Sequence, residues 1–132
     1  MPLPARHIAV SIDRPAAEVY AFASNPQNLP KWAAGVSSGV RKQGGAWITD
    51  SPMGPVTIAF APENSFGVLD HDVTLPDGTV FANPMRVFPN ADGCEVIFTL
   101  LRRPAMTDEE YAADGHAIET DLRTLKTLME TA

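Results

Sequence analysis

The sequence predicts an α+β fold in which a seven-stranded antiparallel sheet curves around one long C-terminal helix and two short helices follow the first strand. Three observations predict it. Residues Arg6 to Ile12 alternate, with Ile8, Val10 and Ile12 on one face and His7, Ala9 and Ser11 on the other, as a half-buried strand does. Between Val36 and Arg103, five turn signals divide runs rich in β-branched and aromatic residues. After Pro104 the apolar residues recur at steps of four and three, the period of a helix.

Taken in order, the first strand runs into Asp13, which supplies a helix N-cap, and Pro15 falls in the first turn. Val19, Tyr20, Phe22 and Ala23 then make an apolar face about two turns long. Asn25-Pro26 restarts the chain, and Leu29, Trp32 and Ala33 form a second short helix that Gly35 stops. The turns follow at Gly44-Gly45, Pro52-Met53-Gly54-Pro55, Pro62-Glu63-Asn64, Asp77-Gly78 and Asn90-Ala91-Asp92-Gly93. They separate six further strands: around Val40, at Trp47-Ile48-Thr49, and over 56–60, 66–75, 80–88 and 95–101. Thr107 with Glu110 has the spacing of a capping box, and Asp108 and Glu109 complement the positive end of a helix dipole. From there Tyr111, Gly115, Ile118, Leu122, Leu125 and Met129 form an apolar stripe on a helix over about 107–131, roughly 35 Å long. Neither repeat nor linker interrupts this order, so residues 1–132 read as a single domain.

Composition narrows the function classes. Ten Lys+Arg against 16 Asp+Glu give a net charge of −6, which argues against a nucleic-acid partner. With 45% hydrophobic and 20% charged residues the chain is ordinarily globular, large enough to enclose a core or a modest cavity. The single cysteine, Cys94, can form no internal disulfide, and this points to a reducing compartment, by default the cytoplasm. At its start of numbering the chain shows no basic segment followed by an apolar run, and no run approaches the roughly 20 apolar residues of a membrane helix, so no membrane insertion is expected. Phosphate-loop, dinucleotide and serine-elbow patterns are missing, and no cofactor is expected.

The element order, with Ile8-x-Val10-x-Ile12-Asp13-Arg14-Pro15-x-x-x-Val19-Tyr20-x-Phe22 and Asn28-Leu29-Pro30-x-Trp32, resembles the START-related helix-grip superfamily, which includes SRPBCC proteins and the birch-pollen-allergen-like fold. Asn64-x-Phe66-Gly67-Val68-Leu69-Asp70-His71, Met85-Arg86-Val87, Phe98-Thr99-Leu100 and Asp121-Leu122-x-x-Leu125-Lys126 resemble a bacterial branch labelled polyketide cyclase or dehydrase-like. The resemblance implies a sheet gripping the C-terminal helix around an apolar cavity that accepts lipids, polyketides, aromatic compounds or hormones. It implies no universal catalytic motif, because members range from cyclases to carriers and interaction modules.

Turn chemistry predicts which residues face that cavity. A two-residue Asp77-Gly78 turn places Leu69 opposite Arg86 and His71 opposite Pro84, and groups Leu69, His71, Val73 and Leu75 with Val80, Ala82, Arg86 and Phe88. A three-residue loop ending at Gly93 sets Phe88 opposite Cys94, Arg86 opposite Val96, Pro84 opposite Phe98 and Ala82 opposite Leu100. The expected lining is therefore Leu69, Val73, Ala82, Phe88, Val96, Phe98 and Leu100 from the sheet, with Tyr111, Gly115, Ile118 and Leu122 from the helix. His71 and Arg86 are its polar pair. Asp114 lies on the edge of the helix stripe as a counter-charge for Arg86, a role an acidic ligand can also fill, while His116 points to water. Asp70 and Asp72 fall on the face opposite His71, so no metal site is expected. Trp32, Trp47, Phe60 and Tyr111 serve as core or rim aromatics or as stacking surfaces, Gly115 allows close packing or leaves room for ligand, and Cys94 is an inert thiol.

Three functions fit these residues. The first is a binding protein holding a small hydrophobic or aromatic molecule, with an acidic or carbonyl group near Arg86 and His71. A cofactor-free cyclase or dehydratase is the second: His71 moves a proton, Arg86 stabilises the oxyanion and Asp114 orients one of them. The third is an interaction module with a vestigial cavity, in which Ile97 and Leu101 contribute to an outer-face surface and a homodimer is possible.

Overall fold

The computed structural model describes residues 1–131. Its elements run β1 (Ala5–Ile12), α1 (Ala16–Ala23), a 3-10 turn (Pro26–Asn28), α2 (Leu29–Trp32), a second 3-10 turn (Ala34–Val36), β2 (Arg41–Gln43), β3 (Ala46–Ser51), β4 (Gly54–Phe60), β5 (His71–Thr74), β6 (Val80–Asn83), β7 (Met85–Asn90), β8 (Gly93–Leu101) and α3 (Asp108–Glu130). The class is as expected, an α+β fold with a curved antiparallel sheet and a long C-terminal helix. The described residues form eight strands rather than seven because the expected strand over 80–88 breaks at Pro84, which has no N–H for the ladder. The strands order as β2-β3-β4-β5-β6 and as β1-β8-β7. Across the break, Leu69 N–H donates to Met85 O at 2.8 Å, Val87 N–H to Gly67 O at 2.9 Å and Thr99 N–H to Pro84 O at 2.9 Å.

Both hairpins differ from expectation by one residue. Leu75 pairs with Thr79 around the three-residue loop Pro76-Asp77-Gly78, with Gly78 at φ +90°, so His71 lies opposite Asn83 and Val73 opposite Phe81. Pro76 cannot donate the ladder bond a two-residue turn requires of it, and the chain closes one residue earlier. In the β7–β8 hairpin the loop is two residues, Ala91-Asp92, with Ala91 at φ +51°, and Asn90 pairs with Gly93. Gly93 serves a different purpose from the expected turn: a Cβ there would lie 2.5 Å from Ile12 O, so glycine lets β1 pass. The result sets Met85 opposite Phe98, Arg86 opposite Ile97, Val87 opposite Val96 and Phe88 opposite Glu95. Since side chains alternate, the one-residue shift turns Met85 and Val87 inward and Arg86 and Phe88 outward.

The helix ends show what local signals do and do not decide. Thr107 and Glu110 form the capping box, Thr107 Oγ1 accepting from Glu110 N–H at 3.1 Å and Glu110 Oε1 from Thr107 N–H at 2.9 Å. Asp13 caps nothing: α1 starts at Ala16 with Pro15 at its N-cap position, leaving Asp13 too far upstream to reach the first free N–H groups. Its own N–H donates to Glu130 Oε2 at 2.8 Å, tying the end of β1 to the end of α3. Gly35 does not stop α2, because extended Ala33 ends it and Gly35 lies within the 3-10 turn.

The core forms where the inner sheet face meets α3. Ile8, Ile12, Leu69, Met85, Val87 and Val96 pack with Leu122, Leu125 and Met129, and Val19, Leu29 and Trp32 close one end. Burial of each such aliphatic side chain contributes about 1.5–3 kcal/mol. Gly115 has a specific function: a Cβ there would overlap the Arg6 guanidinium, which crosses the helix at this notch and bonds Glu119 Oε1 at 2.7 Å.

Candidate functional site

The sequence-predicted site residues do not assemble into one group. His71 faces inward from β5, its ring stacked on Phe60 at 4.9 Å and edge-on to Phe98 at 5.8 Å. Its Nδ1 lies 3.1 Å from Leu69 O, and since a carbonyl only accepts, that nitrogen carries a proton. Burial pushes its pKa below the ordinary imidazole value, with the Leu69 carbonyl and the Asp70 and Asp72 charges opposing. Arg86 sits on the other face of the sheet, where Asp70 holds it bidentately, Nε to Oδ1 at 3.0 Å and Nη2 to Oδ2 at 2.9 Å. That hydrogen bonding lowers the Asp70 pKa and raises that of Arg86. The expected His71–Arg86 pair is therefore not formed. Asp114 lies near Arg103 instead, its Oδ2 at 3.7 Å from Nη2.

The expected lining residues divide in the same way. Leu69, Val96, Leu100 and Leu122 are buried, and Phe98 and Ile118 pack against the core. Val73 and Tyr111 are half-buried, whereas Ala82 and Phe88 are exposed and the space beside Gly115 holds Arg6. The centre of the sheet–helix interface is thus filled by side chains. The arginine on the inner parity is Arg6, which alternates with Ile8 and Val10 and lies opposite Leu100. Burial and the Glu95 charge raise the Cys94 thiol pKa, which makes it less reactive.

Open space lies at the end of the sheet where β6 and β8 separate. Thr99–Pro84 is the last bond between these segments; beyond it β8 follows β1 to the Ala5–Leu101 pair, while β6 turns back along β5. Alternation along β6 leaves the main-chain groups of Val80 and Ala82 directed away from β5, toward this gap. The chain after β8 closes the far wall through Pro104 and a turn in which Met106 N–H donates to Arg103 O at 3.1 Å. Together these walls enclose a groove of about 610 Å³ whose apolar surface includes Leu75, Val80, Phe81, Leu101, Ala105 and Met106.

Two arginines, Arg102 and Arg103, bring charge to the groove, and Glu110 reaches it from the first turn of α3. Arg102 Nη2 meets Asp108 Oδ1 at 2.8 Å and donates to Met106 O at 2.9 Å, and its guanidinium lies 5.3 Å from the Tyr111 ring centroid. Arg103 lies 4.0 Å above the Phe81 ring. Sequence reasoning passed over both residues, although two adjacent arginines in a chain of net charge −6, just before a helix start, were a readable signal.

The sequence matches the family described as "Polyketide cyclase / dehydrase and lipid transport" over residues 7–130. The comparison with curated proteins finds no match. Among solved structures, DynU16, a protein of the dynemicin biosynthetic locus, aligns at 16% identity and TM-score 0.71 over 98% of this chain and 48% of its own. This chain thus spans about half the length of DynU16. The Aha1 dimer from Colwellia psychrerythraea aligns at 15% identity and TM-score 0.74 over 97% of each chain, and Ara h 8.0201 at 9% and 0.66 over 98% of this chain and 99% of its own. At these identities the similarity establishes the fold, a helix grip. The chain belongs to the polyketide cyclase/dehydrase and lipid transport family.

Proposed function

We propose that this family member binds a small hydrophobic or aromatic molecule in the groove between β6 and the segment leading into α3. The observation that carries the reading is the groove itself: about 610 Å³, within the range of small-molecule sites, with apolar walls and a few polar groups at its edge. Binding is favoured over turnover because His71, Arg86 and Asp114, the groups that proton-transfer chemistry would use, point to three different surroundings. The cytoplasm remains the expected compartment.

The test uses the neutral fluorophore N-phenyl-1-naphthylamine with backbone NMR. Expected are enhanced fluorescence, shift changes concentrated at 80–83 and 101–106, and loss of both in Ala105→Trp, which fills the groove. Shift changes centred elsewhere, or binding unaffected by Ala105→Trp, would overturn the reading. Native mass spectrometry of freshly purified protein identifies any retained molecule.

A second reading, a protein-interaction surface, has one observation in its favour. Phe66 is 82% exposed although its loop is tightly held, Asn64 accepting from the N–H groups of Phe66 and Val68 and donating to Pro62 O and Val68 O. If this surface joins two copies, light scattering shows a dimer that Phe66→Ser dissociates; a monomer at all concentrations sinks that form of the reading.

A further inference from the structure

We propose that Arg103 makes the groove selective for apolar monoanions, carboxylates above all, over neutral molecules of the same shape. The inference deepens the groove reading and rests on it. Of the two arginines at the groove, Arg102 is already committed to Asp108 and to Met106 O. The Arg103 guanidinium has no hydrogen bond among the described residues: Asp114 Oδ2 forms an ion pair with it at 3.7 Å, beyond hydrogen-bond distance. Phe81 at 4.0 Å covers one face of its plane, which orients the group and leaves the in-plane N–H donors at its edge available.

A carboxylate meets such a fork with two parallel charge-assisted bonds, whereas an amide of the same outline offers one neutral acceptor. Val80, Leu101, Ala105 and Met106 require the rest of the ligand to be apolar. The charge is single for a reason that is also local. Glu110 and Asp114 flank Arg103, and Glu110 is held by its bond from Thr107 N–H, so a second negative charge on the ligand would meet carboxylates with no further free cation among the described groove residues.

The test compares 1-naphthoate with 1-naphthamide, alike in shape and different in charge, by NMR titration of the intact protein. Naphthoate binds about tenfold more tightly, the difference expected of charge-assisted over neutral hydrogen bonding. Arg103→Leu brings naphthoate to the naphthamide level and leaves naphthamide within about twofold; Arg103→Lys keeps part of the preference and serves if the leucine variant does not fold. Arg86→Leu, on the opposite sheet face, changes neither ligand. Equal binding of the two compounds by the wild type, with shifts at the groove, overturns the role of Arg103 and leaves the groove reading standing. A preference that survives Arg103→Leu does the same, and no binding of either compound at millimolar concentration overturns both.

Discussion

The two ends of the sheet–helix interface are built from the same kinds of residue and have opposite outcomes. Under Leu122 and Leu125, the inner residues of β1, β7 and β8 join the helix in one buried core cluster. At the other end β6 parts from β8 after Pro84, the chain doubles back through Pro104, and Leu101 stays 42% exposed beside Val80 at 56%. Apolar side chains alone therefore do not predict a filled interior. Where the ladder is continuous they form a core; where proline interrupts it they line a groove.

The largest test of that contrast is deletion at each end. Leu125→Ala, at full burial, costs about 2–5 kcal/mol in denaturant unfolding, while Leu101→Ala costs about 1 kcal/mol or less. Equal losses would show that the groove end is packed as tightly as the core, and the contrast would fail.

Gly115→Ala probes the junction between the two ends. Helix propensity favours alanine by about 1 kcal/mol, but its Cβ displaces the Arg6 guanidinium and strains the Arg6–Glu119 pair. The substitution is near neutral in the wild-type background and stabilises by about 1 kcal/mol in Arg6→Ala, a coupling that a double-mutant cycle reads directly. Independent effects would mean that Arg6 does not use the notch.

Arg86→Leu is expected to change stability by under about 1 kcal/mol, since its pair with Asp70 is solvent-exposed on the outer face. A loss of several kcal/mol would instead place Arg86 in the interior after all.

The smallest effect is a slope with pH. Because burial lowers the His71 pKa in the folded state, the unfolded chain binds its proton first as pH falls. Its contribution to stability is complete above the ordinary imidazole value of 6.5 and declines below it, until the folded histidine also protonates. Unfolding free energies at pH 7.5, about 6.5 and 5.5 show this decline, and His71→Phe flattens it; an unchanged slope in the variant assigns the proton elsewhere. Asp70, with its pKa lowered chiefly by Arg86, acts in the same direction only nearer its ordinary value of 3.8.

Much of the fold was legible because it depends on local signals. The alternation of β1, the Thr107–Glu110 cap and the Tyr111-to-Met129 stripe are each contained within one element, and each formed. The site was less legible because it depends on pairing. Leu69, Val73, Val96 and Phe98 face inward as expected, whereas Arg86 and Phe88 face outward and Ala82 is exposed along the groove, because two loops each differ from expectation by a single residue. Arg6 was readable by parity with Ile8, and Arg102 and Arg103 by their position before the helix cap; no motif marks any of them as a site.

By itself, the sequence determined the order and kind of the elements, the acidic charge and the apolar stripe of α3, because hydrophobic period, caps and turn residues act over a few neighbours. Only the tertiary structure decided that Arg86 faces outward, which arginine lies at the groove with unused donors, and where space remains. Those outcomes turn on two loop lengths, one of them set by Pro76, and one glycine–backbone contact, and a shift of one residue in a strand exchanges its two faces.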